Sequence, residues 1–411
     1  MSLTAALTNL AEAKVEAVAA VRGPCDIRIV ADRSAFDALE ASWSDLFDKV
    51  ARPDQVFQSF NWLWHWANHF LDARVELALI TGWRAGRLVM VWPLVRTRVA
   101  GVRVLRWMGE PASQYGDVLV EPGPQAGAML CQGLETLRTM DVDLAMLRKV
   151  RRTATVSGLL ATEGLSTACS KAPRLDFAEA QSFADVERQF SAKDRSSRRR
   201  LSRRLAETGQ VAFEDRVEGA EAAALTLRAI ALKLANLKAS GQGSPALEQA
   251  ATQAFFADAM SSVERPVGAM INAIVRDGRP IGVALSLVCK GEGFGHILAH
   301  DSLCDKQGVG VLLAEQVFRS AHGRGLGGFD MLAPADCFKL KWASSVAKLD
   351  DWVVPLNRRG RWFVRLWVAQ VPRLKRLAET SPAWVGSAVW SVYRRMKQRP
   401  SPPAPAPAQR A

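Results

Sequence analysis

Residues 294–332 read FGHILAHDSLCDKQGVGVLLAEQVFRSAHGRGLGGFDML. The stretch opens as a strand, passes through the turn QGVG, continues as a patterned helix and closes on a second strand, GFDML. Gly308 and Gly310 allow unusual torsions and close approach, and the N–H groups of the first helical turn point away from the helix. Together with the helix dipole they suit a pyrophosphate, and Lys306 adds charge beside them. The spacing is neither GxxxxGK[ST] nor a GxGxxG opening a βαβ unit. The setting of the turn therefore decides how it is read.

That setting is a meander. GAMINAIVRDGRPIGVALSLVCKGEGFGHILAHD predicts three strands with turns at RDGRP and KGEG. Upstream lie a helix from Phe183, the strand VAFEDRV, the helix AEAAALTLRAIALKLANLKAS, a GQGSP break and a further helix. The first half of the chain has the same order. CDIRIV is followed by the helices AFDALEASWSDLFDKV and FQSFNWLWHWANHF. The strands ELALITGW, RLVMVWPLVRTRV and VRVLRWMG, the helix GAMLCQGLETLRTM, and the segments DVDLAMLRKV and APRLDF come next. An internal duplication on a scale of roughly 150 residues follows, the size of one domain. The predicted class is α/β with mixed, α+β-like sheets. The divisions are a leader 1–24, domains 25–175 and 176–356, and a basic tail 357–411.

The chain has 411 residues and a net charge of +13, which predicts anionic partners such as phosphate-bearing cofactors, nucleic acid or an acidic membrane surface. Six scattered cysteines without a CxxC pair argue against a zinc site and a secreted disulfide framework. The opening residues carry Glu12 and Glu16 and do not resemble a secretory signal, and no stretch reaches the ~18 apolar residues of a spanning helix. A cytoplasmic protein is expected, able to sit peripherally on the inner face of a membrane. The tail RRGRWFVRLWVAQVPRLKRLAE interleaves cations with tryptophans, as interfacial helices do, although the same pattern fits packing on the protein's own body. His65 and His69 stand four apart on one helix but lack an HExxH pattern, so no metal is expected. Trp62 and Trp66 share one face of that helix, as core or as the wall of a groove.

In this setting the chain resembles the GNAT acyltransferases, and more closely the CelD-type branch of cellulose biosynthesis, related to FemAB-like tandem transferases. The residues carrying the likeness are His300-Asp301, Gly308-Val309-Gly310 with Leu312 and Leu313, Phe329-Asp330-Met331-Leu332, Phe338-Lys339 and Trp342. Upstream, FQSFNWLWHW and SAKDRSSRRRLSRRLAETG match the family's early tryptophan helix and its basic helix. The resemblance implies two tandem GNAT-like domains that use acetyl-CoA, with the pyrophosphate over Lys306, Gln307, Gly308, Val309 and Gly310. It implies His300 and Asp301 as bases, with Asp330 and Lys339 orienting the acceptor. For Asp301 a turn-capping role, and for Asp330 a salt bridge with Lys339 or Lys341, are the competing structural readings. The family's tyrosines are replaced by Gln307 and Phe338. Tyr115 and Tyr393 are the only tyrosines and lie far from the turn in sequence, so water, Cys304 or Lys339 would protonate the leaving thiolate.

Arg195, Arg199 and Arg203 recur at i, i+4 and i+8 with Arg198 adjoining, a positive stripe for an anionic glycan, a lipid diphosphate, the 3′-phosphate of CoA or nucleic acid. A solvated helix face is its structural reading. The resulting expectation is an N-acetyltransferase acting on an amino sugar of an exopolysaccharide or on its glycolipid precursor. The alternatives are a FemAB-like transferase using aminoacyl-tRNA and a degenerate GNAT scaffold of a polysaccharide synthase. A cyclic dinucleotide at arginine clusters such as RRGR, beginning at Arg358, is the remotest partner considered.

Overall fold

The computed structural model describes residues 25–99, 101–177, 180–215, 219–261 and 267–366. The leader and the tail beyond residue 366 lie outside the described residues, and with them most of the tryptophan-rich tail.

The first half begins with β1 (Asp26–Val30), α1 (Arg33–Asp37), α2 (Glu40–Val50), a 3-10 turn (Pro53–Gln58) and α3 (Phe60–Phe70). Six strands follow: β2 (Glu76–Leu77), β3 (Leu79–Arg84), β4 (Arg87–Trp92), β5 (Leu94–Val99), β6 (Val102–Trp107) and β7 (Leu119–Val120). It closes with α4 (Ala126–Thr139), β8 (Leu144–Arg151), α5 (Ser157–Glu163) and β9 (Leu165–Asp176). The second half runs α6 (Phe183–Arg188), α7 (Ala192–Ala206), β10 (Val211–Glu214), α8 (Gly219–Ala239) and α9 (Ala250–Ser261). The meander is β11 (Val267–Arg276), β12 (Arg279–Cys289) and β13 (Glu292–His300). A 3-10 turn (Ser302–Gln307), α10 (Val309–Gly323), β14 (Gly328–Asp330), α11 (Cys337–Leu340) and β15 (Ser345–Pro355) complete it.

Three tight hairpins have paired positive φ angles, at Ala85–Gly86, Asp277–Gly278 and Lys290–Gly291, the torsions whose twist matches flanking strands. Two expected strands prove to be two each. ELALITGW divides at Ala78, and RLVMVWPLVRTRV divides at Pro93, which has no N–H to continue a ladder. β3 and β4 thereby join a four-stranded sheet, β1-β3-β4-β7, while β2 and β5 join an eleven-stranded one.

The large sheet has the order β10-β11-β12-β13-β14-β9-β15-β8-β6-β5-β2. β9, the last strand of the first half, pairs with β14 of the second. β15, the last of the second half, lies between β9 and β8. The halves thus exchange their final strands and share one sheet. One apolar core crosses between them: Trp62 of α3 meets Phe255 of α9 edge to face at 4.9 Å.

Two places in this sheet are parallel and short. β6 pairs with β8 only from Val104 to Arg106, and β13 pairs with β14 only from Glu292 to Phe294. Beyond each contact the strands part. A β-bulge marks both partings. His296 is the extra residue of β13 opposite β12, and Arg148 with Lys149 oppose the single Asp351 of β15. Bulges bend a strand and re-aim its side chains.

Candidate active site where the halves meet

At the second parting, Asp330 ends β14 in a buried position. Its carboxylate accepts from the Tyr115 hydroxyl at 2.8 Å, from Arg151 Nη1 at 2.7 Å and from the Leu332 N–H at 2.8 Å. Tyr115 and Arg151 come from the first half, and the guanidinium also lies 5.0 Å from the tyrosine ring centre. The salt bridge considered for Asp330 with Lys339 or Lys341 is therefore made by Arg151. Burial, then the Asp330 charge, pushes the Tyr115 phenol well above its usual range, so it remains a donor.

Lys339 donates to the carbonyls of Leu332 at 2.9 Å and Pro334 at 3.1 Å, and burial holds its pKa below the usual lysine value. An ammonium has three N–H bonds, so two carbonyls leave one for a ligand. His296 stands on the bulge nearby, packed by Trp62, Phe57 and Phe256, with Nε2 2.7 Å from the Ala112 carbonyl. Burial pushes its pKa down to about 4, so the imidazole is neutral. The carbonyl takes the Nε2–H, which leaves Nδ1 an acceptor without a partner among the described residues.

The glycine turn lies at the far end of β13. His300 bonds Asp305 at 2.7 Å, and its ring packs where a Cβ on Gly310 would stand, 2.9 Å away. Leu201 of α7 does the same at Gly308, which has φ 68°. The glycines are thus required by the protein's own close packing. Gly308 nevertheless offers α10 no side-chain cap, and since the Val311 N–H bonds the Gly308 carbonyl, the N–H groups of Val309 and Gly310 are those left for an anion, with Lys306 exposed nearby. Gln307 Oε1 is buried without a partner among the described residues, and Val309 is core. These backbone donors fit the phosphates of an acyl-CoA.

The expected catalytic residues do not converge. Phe294 pairs with Asp330, and six further residues of strand place His300 about 20 Å beyond it. Asp301 caps the 3-10 turn through the Leu303 N–H and faces Arg279 at 3.7 Å and Arg228 at 3.9 Å. Lys339 and Asp330 share one end of β13, while His300 and Asp301 share the other.

Trp62 and Trp66 are buried and cannot line a groove directly. Their indole N–H groups bond Ser113 and the Glu110 carbonyl. Of the arginine stripe, Arg195 is occupied by the Phe190 and Glu187 carbonyls. Arg198 is buried between Phe190 and Trp342 and lies 3.4 Å from Glu315. Arg199, Arg200, Arg203 and Arg204 are exposed. In RRGR, Arg359 bonds the Gly101 carbonyl and Gly360 packs against Asp143, while Arg358 and Arg361 are exposed. Among the described residues no group of three or more His, Cys, Asp or Glu side chains is placed to hold a metal, and no helix is long and apolar enough to cross a membrane.

Arg151 goes unread in the sequence, Tyr115 is set aside there for its distance from the turn, and His296 reads as a simple sheet residue. A signal existed only for His296: Gly293 and Gly295 before it mark a close approach, and both receive the Phe329 ring. A cleft of about 1160 Å³ opens beside Tyr115, between the β6–β8 parting and the segment leading into α9.

Residues 192–340 match the family model of the acetyltransferase (GNAT) domain. The arrangement seen here, with a strand parting beside a glycine turn and helix, belongs to that acyltransferase fold. Among solved structures, FemX aligns over 76% of this chain and 95% of its own, at 10% identity and a TM-score of 0.55. A tandem GNAT protein from the clavulanic acid biosynthesis pathway aligns over 81% and 99% at 14% identity and a TM-score of 0.47. L-PGS from Bacillus licheniformis aligns over 80% and 95% at 11% identity and 0.49. No curated protein matches the chain.

Proposed function

We propose that the protein is an N-acyltransferase that moves an acetyl group from acetyl-CoA to the amine of an amino sugar or its lipid-linked precursor, in exopolysaccharide assembly of the CelD type. The observation that carries the chemistry is the open edge of β13. It joins the uncapped end of α10 to the buried Tyr115–Asp330–Arg151 group and Lys339. Acetyl-CoA, when bound, would supply the carbonyl carbon that the amine attacks; the C–S bond then breaks, and the proton lost by the amine balances the one taken up by the departing CoA thiolate, through water. The α10 N–H groups and Lys306 would hold its phosphates. The third N–H of Lys339 stabilises developing negative charge at the other end. Asp330 acts by position: all its bonds hold Tyr115, Arg151 and the Leu332 amide in place. The sugar acceptor and the pathway rest on the family likeness, as does work in the cytoplasm at the inner face of a membrane.

Acetyl transfer to glucosamine and its phosphorylated forms tests this reading. Wild type is expected to transfer, Lys339→Ala to lose about 100-fold in rate, and Lys306→Glu to bind acetyl-CoA about tenfold more weakly. Failure of the wild type to bind acetyl-CoA sinks the reading. The second reading, transfer from aminoacyl-tRNA, is favoured by one observation: the exposed Arg199, Arg200, Arg203 and Arg204 form no ion pair with a carboxylate among the described residues. Transfer from charged tRNA, lost on substituting those arginines, would establish it. Binding of neither donor leaves the scaffold role.

A further inference from the structure

The first-half parting holds a second group of charges that the transfer chemistry leaves unused. Arg106 ends the parallel contact of β6 opposite Met146 of β8. Arg148 lies two residues further along β8 and so on the same face. The bulge at Arg148–Lys149 puts Lys149 in the left-handed region at φ 56°, a conformation unfavourable for a lysine. The Asp351 carboxylate holds that turn by accepting the Lys149 N–H at 2.8 Å. Strain retained at this point brings two adjacent strand residues, which would otherwise face opposite ways, to the same cleft.

The three cations are poorly neutralised. Arg148 forms no hydrogen bond or ion pair among the described residues. Among the described residues Lys149 Nζ hydrogen-bonds the neutral Gln114 amide oxygen and makes no ion pair, with the Glu110 and Asp351 charges acting on it from further away. Arg106 has one carboxylate, Glu110, at 3.9 Å, and its Nε is buried without a partner. Burial lowers the pKa of Arg106 and pushes Lys149 down to about 8, and Arg148 adds to both shifts. Clustered cations that repel one another across a desolvated cleft are what an anionic ligand relieves.

We propose that Arg106, Arg148 and Lys149 form a binding site for the phosphate or diphosphate ester of the acceptor. The proposal rests on the acyltransferase reading for the word acceptor only. Tyr115 lines the same cleft and bonds Asp330, so a substrate anchored by its phosphates at the β6–β8 parting would extend its amine toward Lys339. The cleft volume of about 1160 Å³ is ample for a sugar with a diphosphate.

Calorimetric titration of inorganic pyrophosphate into the full chain tests the site. Wild type is expected to bind, Arg148→Gln to bind about tenfold or more weakly, and Arg148→Lys to keep most of the affinity with the fold intact. Arg188→Gln, an exposed arginine outside both anion sites, is expected to bind as wild type. No binding by wild type overturns the site, as does binding that Arg148→Gln leaves unchanged. Two further arms use uridine diphosphate and phosphatidylcholine vesicles carrying farnesyl diphosphate. Arg148-dependent binding of either supports the site and identifies the source as nucleotide-linked or lipid-linked, and binding of neither overturns it. Acetyl transfer to glucosamine and to its phosphorylated forms is measured in parallel. Its failure with pyrophosphate still bound removes the transferase reading alone, and the reverse removes this site alone.

Discussion

His296 is neutral because it is buried among aromatic rings, and that has a cost at low pH. Its folded pKa of about 4 lies below the ordinary 6.5, so its contribution to stability is present above pH 6.5 and is lost as the pH falls toward 4. Between about pH 7.5 and pH 5 the loss is about 2 kcal/mol. Urea unfolding of wild type and His296→Gln at both values should show a flatter dependence in the variant, and equal slopes would refute the assignment. Asp330 and Arg151 form the other decisive residue pair. Arg151→Met leaves a buried carboxylate without its cation, and should cost about 3–5 kcal/mol. Tyr115→Phe removes one neutral donor to a charged acceptor and should cost about 1.5–3 kcal/mol. Denaturation midpoints rank the two, with Arg151→Met the more damaging.

At the scale of elements, α10 shows why a glycine turn is ambiguous in sequence. Glycine at such a start serves a ligand, or it serves neighbouring side chains that need the space. Here Leu201 and His300 stand 2.6 Å and 2.9 Å from the Cβ positions that Gly308 and Gly310 lack. Gly308→Ala adds a left-handed torsion to that clash and should destabilise the fold by about 1–3 kcal/mol, whereas Gly308→Ala/Leu201→Ala should recover part of the loss. Thermal melts of the single and double variants decide it: no recovery would mean that torsion alone makes the glycine necessary. The basic helix α7 divides in the same way. Of the expected stripe Arg199 and Arg203 stay exposed while Arg195 donates to the Phe190 and Glu187 carbonyls, and the adjoining Arg198 packs inward beside Glu315, on the side of Leu201 and Leu205.

For the whole molecule, the exchange of β9 and β15 makes the halves mutually dependent. β15 lies between β8 of the first half and β9, so removing it leaves both of those strands without their shared partner. A fragment of residues 25–176 should expose the apolar side chains of α3 that pack on α9, and should fail to fold alone. Circular dichroism and limited proteolysis of that fragment, beside the full chain, check this. A cooperative melt of the fragment would show the halves to be independent domains.

The repeat of strand, helices, meander, helix and strand was legible from periodicity and turn chemistry, because RAGR, RDGR and KGEG each specify a primed hairpin locally. The position of α10 was legible from the periodic apolar residues that follow the glycine turn. Which residues meet Asp330 was not. Tyr115 and Arg151 lie 215 and 179 residues before it, and no local pattern encodes a hydrogen bond across an exchanged strand. The same holds for the Arg148–Lys149 bulge, since a residue's facing depends on its partner's register as well as on its own alternation. Sequence determined the elements and their order. Tertiary structure alone decided which charges share a cleft, because pairing across the eleven-stranded sheet sets those distances.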